Sequence, residues 1–161
     1  MSRQSELAEL GRVYATAPLS NRNLIINGAM QVAQRGTSAT GKSSSGYYAC
    51  DRAQVYYQNL SQMVFSVAQD GSSPDGFDYS HKVTATTAET AYSGTDLISP
   101  LFYSIEGQDL QHLKYGTSDA KPITLSFWVK SNVTGTYTVS FYKTSGATRV
   151  VAPTYTINSA D

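Results

Sequence analysis

The chain has 161 residues, of which 40% are hydrophobic and only 15% charged. Lys plus Arg and Asp plus Glu number 12 each, so the net charge is zero, which disfavours nucleic acid or an anionic membrane as a partner. A single cysteine excludes an internal disulfide framework and a multi-cysteine metal cluster. No apolar run reaches the ~18 residues that span a bilayer.

The length fits one domain. Ser and Thr make up roughly a quarter of the chain, and twelve Tyr and twelve Gly accompany them. A hydroxyl-rich, charge-poor composition predicts an all-β sandwich with hydroxyl-covered outer faces.

Residues 1–22 form the exception. Ser2 or Ser5 can cap a short helix, and Glu6 sets a negative charge in its first turn. Leu7, Leu10 and Tyr14 fall at i, i+3 and i+7, with Val13 beside them. About ten residues of helix are too short to stand alone in water, so this stripe must dock on something. Pro18 ends the helix, and a linker runs to residue 22. These residues read as a helical docking arm, and residues 23–161 read as the sandwich domain.

In the domain, residues 24–27 predict a short strand, which residues 30–34 continue after a bend at Gly28. Residues 37–46 read as a flexible loop of Thr, Ser, Gly and Ala. Strands follow at residues 52–58 and 63–68, then an Asp-, Gly- and Pro-containing loop over 69–78. Further strands fall at 79–86 and 97–105, and residues 106–114 predict one helical turn packed by Leu110 and Leu113. Residues 123–130 alternate Ile123, Leu125, Phe127 and Val129 against Thr124, Ser126, Trp128 and Lys130. With residues 137–143 they predict a core hairpin turning at 132–135. A last strand over 149–157 is interrupted by Pro153, which marks an edge or bulge. About eight strands result, enough for two sheets of four.

Catalytic signatures are absent from the sequence: no GxSxG, GxxxxGK[ST], HExxH, EF-hand loop or GxGxxG occurs. His81 reads as a packed strand histidine, His112 as a solvated one, and Cys50 as a small buried residue. Glu106 and Asp109 form a carboxylate pair without the cleft a glycosidase needs. Asp70, Asp75 and Asp78 cluster with Gly71 and Gly76 in a pattern that matches no calcium motif, and read as a solvated turn. The adjacent Asp51 and Arg52 read as an ion pair or a turn clamp. Neither a catalytic residue, nor a cofactor, nor a metal site is predicted. The candidate stacking platforms for sugars are Tyr47, Tyr48, Tyr56, Tyr57 and Trp128. Asn59 and Asn132 open glycosylation patterns that mean little without a secretory signal.

The string NRNLIINGAMQVAQRGT over residues 21–37 closely resembles a segment of virion structural and tail-fibre proteins of tailed bacteriophages, marine ones above all. GYYACDR at 46–52, IEGQDL at 105–110, LSFWVKS at 125–131 and GTY at 135–137 follow in the same order. The resemblance covers roughly residues 21–161, most of the chain. It implies a jelly-roll sandwich like that of carbohydrate-binding modules, and a native chain that continues past Asp161. One departure is Ala53, where family members often carry an aromatic after the Asp-Arg pair. The family brings no catalytic residues to carry over.

The implied role is a non-enzymatic virion component, a tail fibre whose arm docks on a tail adaptor, portal-associated or capsid protein. Homo-oligomerisation is expected, as a trimer first. The rival readings are a head-decoration or head-fibre protein, and a carbohydrate-binding module that recognises host surface glycans. The chain would be made in the bacterial host cytoplasm and work on the virion surface.

Overall fold

The computed structural model describes residues 4–5, 23–143 and 146–161. The docking-arm positions Leu7, Leu10, Val13 and Tyr14 lie outside the described residues. The chain divides into two compact units, Met1–Pro122 and Ile123–Asp161. The sequence reading ran one domain across that boundary.

Among the described residues strand is the dominant element and every pairing is antiparallel. In the first unit, β1 (Ser38–Lys42), β4 (Val64–Asp70) and β5 (Ser80–Thr87) form one sheet in the order β1-β4-β5. A second sheet has the order β2-β3-β6, from β2 (Gly46–Tyr47), β3 (Gln54–Gln58) and β6 (Leu97–Phe102). Alternation decides which side chains go inside. Val55 of β3 and Phe65 and Val67 of β4 point inward and are fully buried, while their neighbours are not. With Ala49 they form one core drawn from both sheets, packed around by Tyr48, Tyr57, Val83 and Ile98. Phe65 sits at its centre. The rings of Tyr48 (edge-on) and Tyr57 (tilted) are both 5.9 Å from it, a range in which aromatic pairs attract beyond simple burial.

Two local expectations are corrected in this unit, and a third is met. Residues 37–46 are no flexible loop: Ser38–Lys42 pairs with β4, and Gly41, at φ 63°, sits where the register slips. A strand edge offered by β4 outweighs the weak β-propensity of Ser, Gly and Lys. Residues 24–27 and 30–34 are no strands. Asn27 and Met30 adopt φ of 58° and 55°, and the Met30 amide closes a turn onto the Asn27 carbonyl at 2.9 Å. The helical turn at 106–114 is present as a 3-10 helix, Gly107–Leu113, with Leu113 buried. His112 within it is half-buried rather than solvated.

The loop after β5 is held by one carboxylate. Glu89 accepts the amide N–H groups of Ser61, Gln62 and Met63, and that of Ala91. The Gln62 bond, with Ala91, Ser61 and Met63 adding to it, holds the Glu89 carboxyl below the usual range against partial desolvation.

The second unit holds two two-stranded ladders. β7 (Gly135–Thr138) pairs with β10 (Thr154–Ile157), and β8 (Phe141–Lys143) with β9 (Arg149–Val151). Pro153 separates β9 from β10, and its carbonyl accepts the Val139 amide. The predicted hairpin is corrected: residues 123–130 belong to no strand, and Tyr137 lies opposite Tyr155 instead. The two-sheets-of-four arrangement is likewise replaced by two sheets of three and two of two.

Candidate functional site

The described residues of the first unit carry an open cleft of about 400 Å³. Its walls come from the irregular segment before β1 and from the turn between β2 and β3. Asn27 builds it. The Asn27 Nδ2 donates to the carbonyls of Val32 and Asp51, both at 2.9 Å, while its Oδ1 accepts the Val32 amide at 2.9 Å. Asn tolerates the left-handed conformation that places this side chain, because its short polar group bonds locally. The Asp51 amide then donates to the Val32 carbonyl at 2.8 Å. From β4, Gln69 Nε2 donates to the carbonyls of Met30 and Gln31 and fixes the loop to the sheet.

Of the two readings of Asp51 and Arg52, the mutual ion pair is corrected. Asp51 pairs with Arg35 at 3.5 Å and accepts the Gln34 amide. Arg52, at φ 69°, turns the other way and meets Glu106 at 3.8 Å and the Ser104 carbonyl at 3.3 Å. Each guanidinium also lies near an aromatic ring, Arg35 over Tyr47 at 5.6 Å and Arg52 over Tyr103 at 5.5 Å. The Tyr103 hydroxyl accepts the Ile26 amide at 2.7 Å. Segments 26–35, 47–52 and 103–106, far apart in sequence, thus meet in one knot of hydrogen bonds and ion pairs. Non-glycine residues at positive φ gather there too: Asn27 and Arg52 line the cleft and Met30 flanks it.

The cleft is amphipathic. Ile26 and Val32 expose about half of their surface, and Tyr47 is 40% exposed. Two guanidiniums, a carboxylate and two amides surround them. Such a surface suits a polar, ring-shaped ligand or a protein side chain. Several titratable groups away from the cleft have surroundings of their own. Cys50 is fully buried, and burial pushes its thiol pKa up. The His81 Nε2 meets the Pro100 carbonyl at 3.1 Å, and burial pushes its pKa down. Glu106 is occupied by Arg52 and Gln108. Asp70 pairs with Lys82 at 3.0 Å and Asp78 accepts from Gln31 Nε2. Among the described residues no group of three His, Cys, Asp or Glu could hold a metal ion.

The candidate stacking tyrosines are separated by their environments. Tyr47 lies at the cleft. Tyr48 packs on Phe65 and donates to the Ser44 carbonyl. Tyr57 contacts the same ring, and its hydroxyl meets the Leu60 and Met63 carbonyls. Tyr56 packs against Phe102 and donates to Gln58. Trp128 belongs to the second unit and is 76% exposed. Asn27, Arg35 and Tyr103 are the site residues that sequence reasoning missed. The Asn27-Gly28 dipeptide, a turn signature, was the available signal.

The second unit offers a different surface. None of its described residues is buried. Ile123, Leu125, Phe127, Val129, Phe141 and Val151 each expose 40% or more of their area. Its ring contacts are Phe127 with Tyr155 and Tyr137 with Tyr155.

No family model, curated protein or solved structure matches this chain.

Proposed function

We propose that the chain is a non-enzymatic structural component of a tailed-bacteriophage virion, a tail-fibre part that works in a homo-oligomer. One observation carries this reading: in the unit Ile123–Asp161 none of the described residues is buried, yet ten large apolar side chains are exposed. A segment of fewer than forty residues needs a disulfide, a metal or association to be stable, and the only cysteine lies in the other unit. Surfaces of this kind are made to be covered. The resemblance of roughly residues 21–161 to virion proteins suggests the setting, and the jelly-roll architecture belongs to the same proposal. Residues 1–22 supply the docking arm on a tail adaptor, portal-associated or capsid protein.

The test is the native mass of the full chain, compared with a version lacking residues 1–22. An oligomer in the full chain supports the reading, and a monomer at all concentrations refutes it. A second reading, a carbohydrate-binding module for host glycans, is favoured by the cleft beside Tyr47. Calorimetric titration with host-surface oligosaccharides tests it, and loss of heat in Tyr47→Ala would support it.

A further inference from the structure

The cleft is founded on a chemically labile dipeptide, and packing accounts for both of its members. Asn27 takes φ 58°, which an asparagine tolerates because its side chain bonds locally. Gly28 lies close against its neighbours: a Cβ there would sit 3.2 Å from Ile25 Cγ2. Of the six asparagines in the chain, Asn27 alone precedes a glycine. A backbone nitrogen with no side chain beside it is the least hindered nucleophile that can reach the Cγ of the residue before it.

The folded chain restrains that reaction. Asn27 Nδ2 donates to the carbonyls of Val32 and Asp51 at 2.9 Å, and Oδ1 accepts the Val32 amide at 2.9 Å. These bonds hold the side-chain amide against residues 32 and 51. The Met30 amide donates to the Asn27 carbonyl at 2.9 Å and closes a turn around the Asn27–Gly28 peptide. Attack on Cγ requires the side-chain amide to rotate over the following peptide, so all three side-chain bonds must break first. Asn27 is half-buried and Gly28 exposed, so water and base reach the dipeptide once they do.

We infer that Asn27 is a conformationally gated deamidation site, closed in the folded cleft and open whenever the knot opens. The Gly28 nitrogen gives up its proton and forms a bond to Asn27 Cγ. The Cγ–Nδ2 bond breaks, and the former amide leaves as ammonia. Water then opens the five-membered imide. Cleavage of the Cγ–N bond leaves aspartate, and cleavage at the main-chain carbonyl leaves isoaspartate, whose backbone is one atom longer. No electrons change hands. Neither product can donate to the carbonyls of Val32 and Asp51, so the knot does not reclose. A chain that stays unfolded therefore loses its cleft permanently, whatever that cleft binds and however the chain assembles.

The full chain, held in mildly alkaline buffer across a urea series from none to complete unfolding, supplies the test. At each step hydrogen exchange at the Val32 amide measures opening of the knot. Trypsin cuts after Arg22 and Arg35, and mass spectrometry of the peptide 23–35 measures conversion of Asn27, with fragment ions separating it from Asn23. Three bonds to break before each attack predict deamidation at least about tenfold slower in the native chain than in the unfolded one. Between those limits deamidation should rise in step with Val32 exchange. Equal rates in the native and unfolded chains, or deamidation that stays flat while Val32 exchange rises, overturn the gate. After conversion and removal of urea, the Val32 amide should exchange fast while that of Phe65, in β4, stays protected. Full protection of Val32 in the converted chain overturns the one-way loss.

Discussion

Replacing Asn27 dismantles the cleft from its foundation, and the cost is calculable. Asn27→Ala removes three hydrogen bonds at 2.9 Å, two of which reach carbonyls that then lose a donor. Each is worth about 0.5–1.5 kcal/mol, and the residue is only half-buried, so about 2 kcal/mol is lost. Alanine at φ 58° adds about 1 kcal/mol of left-handed strain, for a total of about 3 kcal/mol. Asn27→Gly loses the same bonds and escapes the strain. Its greater freedom in the unfolded chain returns about 0.4–1 kcal/mol of that gain, so it should fall just short of alanine in damage. Asn27→Asp keeps an acceptor for the Val32 amide but directs a carboxylate at the carbonyls of Val32 and Asp51. It should match or exceed alanine at neutral pH.

Urea unfolding followed by far-ultraviolet circular dichroism ranks the three variants. Hydrogen exchange at the Val32 and Asp51 amides locates the damage. Trp128 fluorescence is the wrong probe, because that residue belongs to the other unit. An alanine variant as stable as the parent, with Val32 still protected, would refute the reasoning and demote the knot to a surface contact.

Phe65→Ala should cost about 3–5 kcal/mol, since Phe65 is fully buried between two aromatic rings; a loss below about 1 kcal/mol by urea unfolding would show that the core collapses around the deletion. Cys50 should resist a thiol-specific disulfide reagent at pH 8 in the folded chain and react fully in urea, because burial both shields it and disfavours its thiolate; fast labelling of the native protein contradicts this. Burial depresses the pKa of His81, so the unfolded chain binds its proton first as pH falls. The stabilisation it gives as a neutral group is intact above about pH 6.5 and fades as pH drops from there through the folded pKa. Thermal melts from pH 7.5 to 5 should show this loss, and His81→Phe should flatten it. Glu89, with its depressed pKa, makes a separate contribution that is present above about pH 4.3 and lost below it; Glu89→Gln should remove that acid-side limb.

What the sequence made legible follows from which interactions are local. The strands near 52–58, 63–68, 79–86 and 97–105 were readable because alternation and turn residues sit within a few positions of one another. The buried set Val55, Phe65 and Val67 follows from that alternation directly. Residues 38–42 were not readable, because only the edge of β4, some 25 positions away, makes Ser, Gly and Lys into a strand. Residues 24–34 misled in the opposite sense. Leu24, Ile25 and Ile26 look like a strand, but the Asn27 side chain offers the backbone closer partners than any sheet edge does.

The cleft was illegible for the same reason. Asn27, Arg35, Asp51, Arg52 and Tyr103 come from three segments, and nothing in their spacing says that they meet. Residues 123–130 are the sharpest case. Their alternation is the strongest strand signal in the chain, and yet they have no strand partner among the described residues. Alternation encodes a preference for a half-buried pleated surface and leaves the identity of the partner open.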